Sequence, residues 1–275
     1  MPELPETETI ARDLDRAISG RRITEVDVTR SDVLREGSPD ALREGSHGRA
    51  FVRTWRRAKL VVLDLDTGDH IVVQPRFTGA LLLSRGPLPD HEAPYSTVRF
   101  ALDDGRDLHY RDIRRLGTLA LMSPARFEQY SAMLGVEPLD PGFTASHLSG
   151  ILRGSRQAVK KVLMDQRVLV GVGNIYANEA CWRGGLDPSR ASRSVSVDEA
   201  VALHAGIVGV LTDSIAARGT SFRDYRDASG GRGDFERFLA VYGRGGQPCL
   251  RCGARLVETH AIDGRSTVLC ARCQK

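Results

Sequence analysis

Four cysteines close to the C-terminal end constrain the fold of this chain more than any other feature. They form two pairs, Cys249-x2-Cys252 and Cys270-x2-Cys273, with seventeen residues between the pairs. The short spacing within each pair directs two thiolates at one point, and the whole pattern has the spacing of a structural zinc site. Four sulfur ligands complete the tetrahedral coordination of Zn²⁺ and leave no open position, so this ion would stabilise the fold and perform no catalysis. The alternative is two disulfides, which are rare in the cytosol.

The chain is expected to be a cytoplasmic globular protein. Its first six residues, MPELPE, are acidic and rich in proline, unlike the basic start and apolar stretch of a signal peptide. No uninterrupted run approaches the roughly 18 apolar residues of a membrane span. With 275 residues, 41% of them hydrophobic and 27% charged, the chain is long enough for two domains that each bury a core.

Charge is distributed unevenly along the sequence. Residues 1–150 carry 20 basic and 23 acidic side chains, a balance of −3, whereas residues 151–275 carry 19 and 12, a balance of +7. A basic half favours a polyanionic partner such as nucleic acid, although an ordinary solvated face gives the same count. The lysines are few: Lys59, Lys160, Lys161 and Lys275. Because arginine supplies nearly all the positive charge, each lysine is a candidate for a role that arginine cannot fill.

The first 120 or so residues predict an antiparallel β-structure. The β-like runs lie at residues 23–28, 50–52, 60–65, 70–73, 98–102 and 108–110. Turns that contain Gly68 and Gly105 join the last four runs into two hairpins, which favours a sandwich or a barrel. A helix over residues 6–18 precedes the strands, since its apolar residues recur every four positions and Gly20 follows it.

From about residue 123 the pattern becomes helical. The predicted helices lie at residues 124–134, 146–152, 158–164, 175–182 and 197–217. Ser196 is a suitable N-cap for the last of them. Residues 219–235 are rich in glycine and charge, which predicts a loop.

The N-terminal dipeptide carries a possible nucleophile. Removal of Met1, which is usual before a small residue, would leave the secondary amine of Pro2 at the chain start. An α-amino group has a pKa of about 8, so part of it is neutral near pH 7. When this amine condenses with an aldehyde it gives only a charged iminium, which withdraws electrons at any pH. Glu3 and Glu6 would lie close by as acid–base groups. Proline and acids also favour first helical turns, so the segment fits a plain helix start equally well.

Four segments occur together here in the order and at the separations found in one family. They are the N-terminal PELPE, the RRAK of residues 56–59, the GVGNIYA of residues 171–177 and the four-cysteine unit. The sequence resembles the formamidopyrimidine-DNA glycosylases (MutM-type) of the Fpg/Nei family, which are bifunctional DNA glycosylase/AP lyases of base-excision repair. The resemblance runs from end to end, and the segments are highly specific when taken jointly.

The resemblance implies an α+β fold in three parts. Residues 1–122 would form an N-terminal antiparallel β-sandwich with a leading helix, which is the catalytic domain. Residues 123–242 would form a helical helix-two-turn-helix domain that binds DNA, and residues 243–275 a zinc-finger β-hairpin. Family members act as monomers on damaged double-stranded DNA and hold one structural Zn²⁺.

The resemblance also implies the catalytic residues. Pro2 matches the nucleophile that attacks C1′ of the lesion nucleotide, Glu3 the general acid/base, and Glu6 a further catalytic carboxylate. Lys59 matches the essential lysine of a β-hairpin loop. Arg265 matches the zinc-finger arginine that grips the phosphates on either side of the everted nucleotide.

DNA contacts are implied at five further positions. Lys160 matches a lysine that contacts DNA near the lesion, and Asn174 an asparagine that donates to a phosphate. Phe77, Arg114 and Leu116 match the residues that fill the void left by the flipped base. Two of these depart from the family, which usually has methionine at position 77 and phenylalanine at position 116.

The implied function is removal of oxidised purines, 8-oxoguanine and formamidopyrimidines, through a Pro2 Schiff base and β,δ-elimination. Residues 219–222 match the loop that closes over the flipped base. The departures at Phe77 and Leu116 leave open a different lesion preference, for oxidised pyrimidines or abasic sites. They also leave open a non-catalytic protein that only binds damaged DNA.

Overall fold

A computed structural model of the chain describes residues 2–221 and 225–275 and divides into two compact units. The first unit consists of Met1–Ala132 and Ala217–Glu236, and the second of Met133–Ala216 and Arg237–Lys275. The helices are α1 (Leu4–Ile18), α2 (Pro39–Ser46), α3 (Pro124–Ala132), α4 (Ala145–Arg153), α5 (Val159–Met164), α6 (Asn174–Arg183) and α7 (Val197–Ala216). The strands are β1 (Ile23–Val28), β2 (Leu34–Glu36), β3 (Phe51–Arg57), β4 (Leu60–Leu65), β5 (His70–Gln74), β6 (Gly79–Arg85), β7 (Ser96–Leu102), β8 (Arg106–Asp112), β9 (Thr118–Met122), β10 (Val257–Thr259) and β11 (Thr267–Leu269).

Two sheets form the body of the first unit. One has the strand order β1-β7-β8-β6 and the other the order β2-β9-β5-β4-β3. Both predicted hairpins are confirmed, since β4 pairs antiparallel with β5 and β7 with β8. The short edge strand β2 differs from the antiparallel expectation because it pairs parallel with β9, with Leu34 beside Leu119. These two strands are far apart in sequence, so no tight turn dictates their relative direction.

A single apolar core joins both sheets and α1. Ile10, Leu14 and Ile18 recur every four residues along one face of α1 and are fully buried. They belong to the same core as Phe51 and Tyr110, one from each sheet. Complete burial of one such aliphatic side chain stabilises the fold by about 1.5–3 kcal/mol. The pattern that predicts the helix therefore also fixes which face of α1 lies against the sheets.

The segment Ala217–Glu236 returns to the first unit after α7. Tyr225 and Ala228 contribute side chains to the core of this unit. The backbone carbonyl of Ala228 accepts a hydrogen bond of 2.9 Å from the amide of Leu83. Because β6 is an edge strand, Leu83 has an outward-facing amide available, and the returning segment satisfies it.

Helices α4, α6 and α7 pack together in the second unit. A reciprocal box caps α7: the Glu199 carboxylate accepts from the Ser196 amide at 2.7 Å, and the Ser196 hydroxyl accepts from the Glu199 amide at 3.2 Å. Among the described residues α7 is the one helix whose length and apolar composition would also suit a membrane span. Core helices meet the same criterion, and α7 buries Leu203, Ile207 and Leu211 within this unit.

The C-terminal hairpin of β10 and β11 completes the second unit. Its two strands pair antiparallel, with Val257 opposite Leu269 and Thr259 opposite Thr267. A small core lies at its base, in which Val241, Leu256 and Val268 pack with two of the cysteines. So few apolar side chains stabilise a hairpin weakly, which is why modules of this size depend on a metal or a cross-link.

Candidate catalytic site and metal centre

The N-terminal end of α1 presents two buried carboxylates directly after a buried Pro2. Glu3 is 2% exposed and Glu6 is 1% exposed. The two oxygens of Glu6 have different partners: Oε2 accepts from the amide of Glu3 at 2.8 Å, and Oε1 accepts from the amide of Thr220 at 2.7 Å. The orientation of the Glu6 carboxylate is therefore set by two backbone N–H groups, one on each side.

The predicted lysine lies in the tight turn between β3 and β4. Lys59 is 8% exposed, and the residue before it, Ala58, has a left-handed φ of 55°. Arg56 connects this turn to α1, because its Nε donates to Glu8 Oε2 at 2.8 Å and its Nη1 to the Ala58 carbonyl at 3.1 Å. Burial raises the pKa of Glu8, but the guanidinium of Arg56 outweighs it and holds that pKa below its ordinary value. The ion pair thus places the Lys59 turn against the same helix that begins with Glu3 and Glu6.

Two loops of the first unit bring the predicted void-filling residues together. Phe77 is 47% exposed on the loop between β5 and β6, and Leu116 is 40% exposed on the loop between β8 and β9. The guanidinium of Arg114 lies 5.4 Å from the centre of the Phe77 ring, within cation–π range. An exposed aromatic ring, an exposed leucine and a guanidinium are thus presented by adjacent loops.

Asp112 holds these two loops in place, and sequence reasoning missed its role. It is 1% exposed and lies at the end of β8. Its Oδ1 accepts from the Thr78 hydroxyl and from the Arg114 amide at 3.3 Å, while Oδ2 accepts from the Gly117 amide at 2.8 Å. A Cβ at Gly117 would lie only 2.1 Å from the Tyr110 hydroxyl, so glycine is required beside it. An acid at the end of a strand that is otherwise buried is the signal that could have identified it.

Lys160 and Asn174 lie in the second unit. Lys160 is fully buried, and its Nζ donates to the Ser266 carbonyl at 2.7 Å and to the Thr267 hydroxyl at 2.8 Å. Asn174 is the first residue of α6, and within residues 2–221 and 225–275 its buried Oδ1 meets no hydrogen-bond donor. The structure therefore places Lys160 under the C-terminal hairpin, and the DNA contacts of both residues stay predictions.

Arg265 is exposed in the turn between β10 and β11. Helix α6 holds the hairpin that carries it, since the Val268 amide donates to Asn178 Oδ1 at 2.8 Å. Lys161 Nζ also lies 3.0 Å from Asp263 Oδ1, two residues before Arg265. These contacts restrict the position of the turn within the second unit and leave the Arg265 guanidinium at the surface.

The four cysteines form a metal centre. The sulfur atoms of Cys249, Cys252, Cys270 and Cys273 all lie within 4.8 Å of one another. Zinc bonds to sulfur are about 2.3 Å long, so the corners of the tetrahedron are about 3.8 Å apart. The Cys252 and Cys270 sulfurs are separated by 3.5 Å, which fits one Zn²⁺. Thiolate ligands alone suit a structural ion that takes no substrate.

Glu179 is a second residue that sequence reasoning missed. It is 1% exposed on α6 and accepts three backbone amides, from Ala240 at 2.9 Å, Val241 at 2.9 Å and Tyr242 at 2.8 Å. Burial raises its pKa, and the three amides oppose that effect. A glutamate directly before the apolar residues 180–182 of a predicted helix was the available signal. Its effect is to fix the chain that leads into the zinc module.

The predicted closing loop is described in part. Gly219, Thr220 and Ser221 are described, whereas Phe222 lies outside the described residues. Ser221 Oγ accepts from the Gly233 amide at 2.8 Å, and the Phe235 amide donates to the Gly219 carbonyl at 3.0 Å. The beginning of this loop is therefore paired to its own end.

Known protein families match the chain along nearly its whole length. The formamidopyrimidine-DNA glycosylase N-terminal domain matches residues 1–119, the H2TH domain of the same enzymes matches residues 134–226, and the zinc finger found in FPG and IleRS matches residues 246–275. A formamidopyrimidine-DNA glycosylase of Desulfitobacterium hafniense is 40% identical over 277 residues and is covered completely, as is this chain. The enzyme of Moorella thermoacetica is 42% identical over 258 residues, 93% of each chain.

Solved structures give the same result. MutM (Fpg) of Thermus thermophilus superposes with a TM-score of 0.87 at 32% identity, over 99% of this chain and 98% of that one. The Fpg (MutM) protein of Lactococcus lactis, in complex with DNA that contains N7-benzyl-Fapy-dG, superposes with a TM-score of 0.92 at 28% identity over all of both chains. The α+β fold and the zinc-finger module predicted from the sequence are confirmed by these matches.

Proposed function

The chain belongs to the formamidopyrimidine-DNA glycosylase family, and from this premise we propose that it removes oxidised purines, 8-oxoguanine and formamidopyrimidines, from double-stranded DNA and then cleaves the abasic site. The observation that carries the proposal is the start of α1, where a buried Pro2 precedes the two buried carboxylates of Glu3 and Glu6. A protein that only binds DNA has no use for a nucleophile beside an acid–base pair.

In the proposed reaction the lone pair of the Pro2 nitrogen bonds to C1′ of the everted nucleotide. The bond from C1′ to the base breaks, and the base leaves with the electron pair and takes a proton. The Pro2 nitrogen gives up its proton, and the C1′–O4′ bond then opens as O4′ takes a proton, which leaves a charged iminium without an N–H between Pro2 and the sugar. Loss of a C2′ proton then expels the 3′-phosphate, a second elimination expels the 5′-phosphate, and water releases Pro2. Glu3 is suited to these proton transfers because it adjoins the nucleophile.

Glu6 and Lys59 serve the same site. Glu6 presents a carboxylate held by two backbone amides, which stabilises positive charge that develops on the sugar. Lys59, a compact ammonium in a turn tied to α1 by Arg56, supplies a cation that a planar guanidinium does not imitate. Removal of either charge is expected to slow the reaction more than it weakens DNA binding.

The remaining predicted residues hold DNA. Phe77 and Leu116 supply apolar surface that enters the base stack, with Arg114 beside them, because eversion of a base leaves a void that an apolar wedge fills. Arg265 and Asn174 bind phosphates. Lys160, for which the resemblance implies a DNA contact near the lesion, would act there through the hairpin that carries Arg265, because its buried ammonium donates to Ser266 and Thr267.

The zinc ion stabilises this hairpin. Cys249, Cys252, Cys270 and Cys273 would hold it, and when bound it supplies a fixed tetrahedral cross-link and no reactive position. We further propose that the functional domains are residues 1–122, 123–242 and 243–275. The protein would act as a monomer in the cytoplasm, at the nucleoid.

Borohydride trapping tests the nucleophile. The parent protein, incubated with a duplex that contains 8-oxoguanine, is expected to form a covalent adduct on reduction and to nick the lesion strand. Mass spectrometry should locate the adduct on Pro2 and find Met1 absent. Pro2→Gly and Glu3→Gln should trap and nick far less, and parental behaviour of both variants would overturn the proposed chemistry.

A different lesion preference is the second candidate, and the wedge residues favour it. Phe77 and Leu116 stand where the family usually has methionine and phenylalanine. The surface that these side chains present to the opposite DNA strand therefore differs in shape. Single-turnover nicking rates on duplexes with 8-oxoguanine, an oxidised pyrimidine or an abasic site, each opposite all four bases, decide between the two. Faster nicking at 8-oxoguanine than at the oxidised pyrimidine supports the first candidate, and the reverse order supports the second. The abasic duplex needs no base removal, so it measures the elimination steps alone; nicking of it without nicking of either base lesion also supports the second candidate.

A further inference from the structure

Arg218 in the first unit, like Arg76 and Arg115, has a backbone conformation that normally belongs to glycine. Arg218 has a φ of 62°, and Gly219 after it has a φ of 85°. Two successive left-handed residues turn the chain sharply. A residue with a Cβ is strained in this conformation, whereas glycine is not. The side chain of Arg218 makes contacts that glycine at this position would lack.

The guanidinium of Arg218 lies between two carboxylates. Its Nη2 is 2.5 Å from Asp13 Oδ2 on α1 and 2.5 Å from Asp227 Oδ2. Both carboxylates are well covered, with side chains 15% and 5% exposed, so their charges are screened less than surface charges are. Arg16 also contacts Asp13, but its own side chain is 70% exposed. Arg218 is thus the cation that links α1 to the returning segment.

Asp227 extends this link into the returning segment. Its Oδ1 accepts from the Ser229 amide at 3.1 Å and from the Gly231 amide at 2.7 Å. Burial raises the pKa of Asp227, but hydrogen bonds from Arg218, Ser229 and Gly231 together hold it below its ordinary value. One guanidinium therefore connects three backbone sites: α1, the turn at residue 218 and the turn at residues 227–231.

The turn that Arg218 begins leads directly to a catalytic carboxylate. Two residues later the Thr220 amide donates to Glu6 Oε1 at 2.7 Å. A Cβ at Gly219 would lie 2.9 Å from Glu6 Cγ and Oε1, so the backbone passes very close to this side chain. Glu6 and Asp13 are seven residues apart and lie on one face of α1. The turn is consequently held on this face by an ion pair at Asp13 and a hydrogen bond at Glu6. The Tyr225 hydroxyl also lies within reach of both the Arg218 and the Glu6 carbonyls, at 3.2 and 3.5 Å.

We propose that Arg218 is a positioning residue, which through Asp13 and Asp227 holds residues 218–220 on α1 and thereby fixes the orientation of the Glu6 carboxylate. The inference rests on the proposed function, in which Glu6 acts on the lesion nucleotide. Loss of the ion pairs frees the Thr220 amide to leave Glu6, and one oxygen of the carboxylate then loses its partner. Because small misplacements of catalytic groups reduce rates steeply, the reaction should slow while DNA binding persists.

Arg218→Gly is the direct test, since glycine removes the guanidinium and relieves the left-handed backbone. Asp13→Asn tests the same link without any change in the turn, and Arg16→Ala is the matched control that removes the other cation on Asp13. Single-turnover nicking of an 8-oxoguanine duplex is measured at saturating protein. Affinity for a duplex with a reduced abasic site, which cannot react, is measured separately, and urea unfolding reports on the fold.

We expect Arg218→Gly and Asp13→Asn each to lower the single-turnover rate constant about tenfold, with affinity and unfolding midpoint near the parental values. The double variant should be no slower than Arg218→Gly, because both changes break one link. Arg16→Ala should stay within about twofold of the parent. Parental nicking by Arg218→Gly, or a loss of affinity as large as the loss of rate, would overturn the positioning role. If the parent neither nicks nor traps, it is the proposed function that has failed.

Discussion

Replacement of Asp112 with asparagine keeps the size of the side chain but removes one of its two acceptor oxygens. The carboxylate accepts from the Thr78 hydroxyl and the Arg114 amide on Oδ1, and from the Gly117 amide on Oδ2. If the new NH₂ group takes the position of Oδ2, it faces the Gly117 amide; if it takes the position of Oδ1, the Thr78 hydroxyl loses its acceptor, although the Arg114 amide keeps Thr78 Oγ1 at 3.0 Å. Because Asp112 is only 1% exposed, water cannot replace the lost partner.

The cost follows from the number of orphaned donors. One buried N–H or O–H without a partner costs about 1–3 kcal/mol, and Asp112→Asn leaves at least one. We expect the free energy of unfolding of the first unit to fall by about 2 kcal/mol. The loops that Asp112 holds carry Phe77, Arg114 and Leu116. If their displacement raises the activation free energy of nicking by the same amount, nicking slows by up to about 30-fold, since 1.36 kcal/mol is a factor of ten.

Urea unfolding and single-turnover nicking of an 8-oxoguanine duplex measure the two effects. Asp107→Asn is the matched control on the same strand, because Asp107 pairs with Arg99 at 3.2 Å and its side chain is 19% exposed. The control should lose less than about 1 kcal/mol. An Asp112→Asn protein that unfolds and nicks like this control would refute the idea that Asp112 holds the loops.

Three further outcomes are expected. A strong chelator should release one Zn²⁺ per chain and abolish lesion nicking, while the helical circular dichroism signal largely persists. Added zinc should restore activity, and undiminished nicking by metal-free protein would contradict the structural role of the ion. Phe77→Ala should slow nicking of base lesions about tenfold, whereas Val52→Ala, a change at another exposed apolar side chain, should not. Hydrogen bonds from Arg190 and the Ser196 amide lower the pKa of Glu199 to about 2. The parent should therefore exceed Glu199→Gln in free energy of unfolding above about pH 4.3, and this difference should vanish as the pH falls through about 2. A difference that is constant with pH would contradict the prediction.

Local patterns were sufficient for much of the fold. The β4–β5 and β7–β8 hairpins follow from apolar runs on either side of glycine-containing turns, because such turns fix register over a few residues. The cysteine spacing predicts the metal centre for a similar reason, since two x2 turns leave little freedom in where the thiolates point. The face of α1 follows from the four-residue recurrence of its apolar side chains.

What could not be predicted depends on contacts between distant parts of the chain. Arg218 and Asp13 are 205 positions apart, and Thr78 and Asp112 are 34 apart. No periodicity or spacing links such pairs, because the packing of the whole unit decides which polar groups meet. The parallel pairing of β2 with β9 has the same origin. In the roles proposed above, Arg218 and Asp112 would act on the site indirectly, by holding Glu6 and the loops that carry Phe77 and Leu116.

The anchoring of the zinc module has a consequence for the order in which the module assembles. Glu179 binds the backbone that enters the module, and Asn178 and Lys160 bind the strand that precedes its last two cysteines. None of these contacts involves the metal. An isolated zinc finger folds only with its ion. Because these contacts do not need the metal, we expect the second unit to hold the four thiols near one another before the ion binds, so that zinc would complete a hairpin whose position is already largely set.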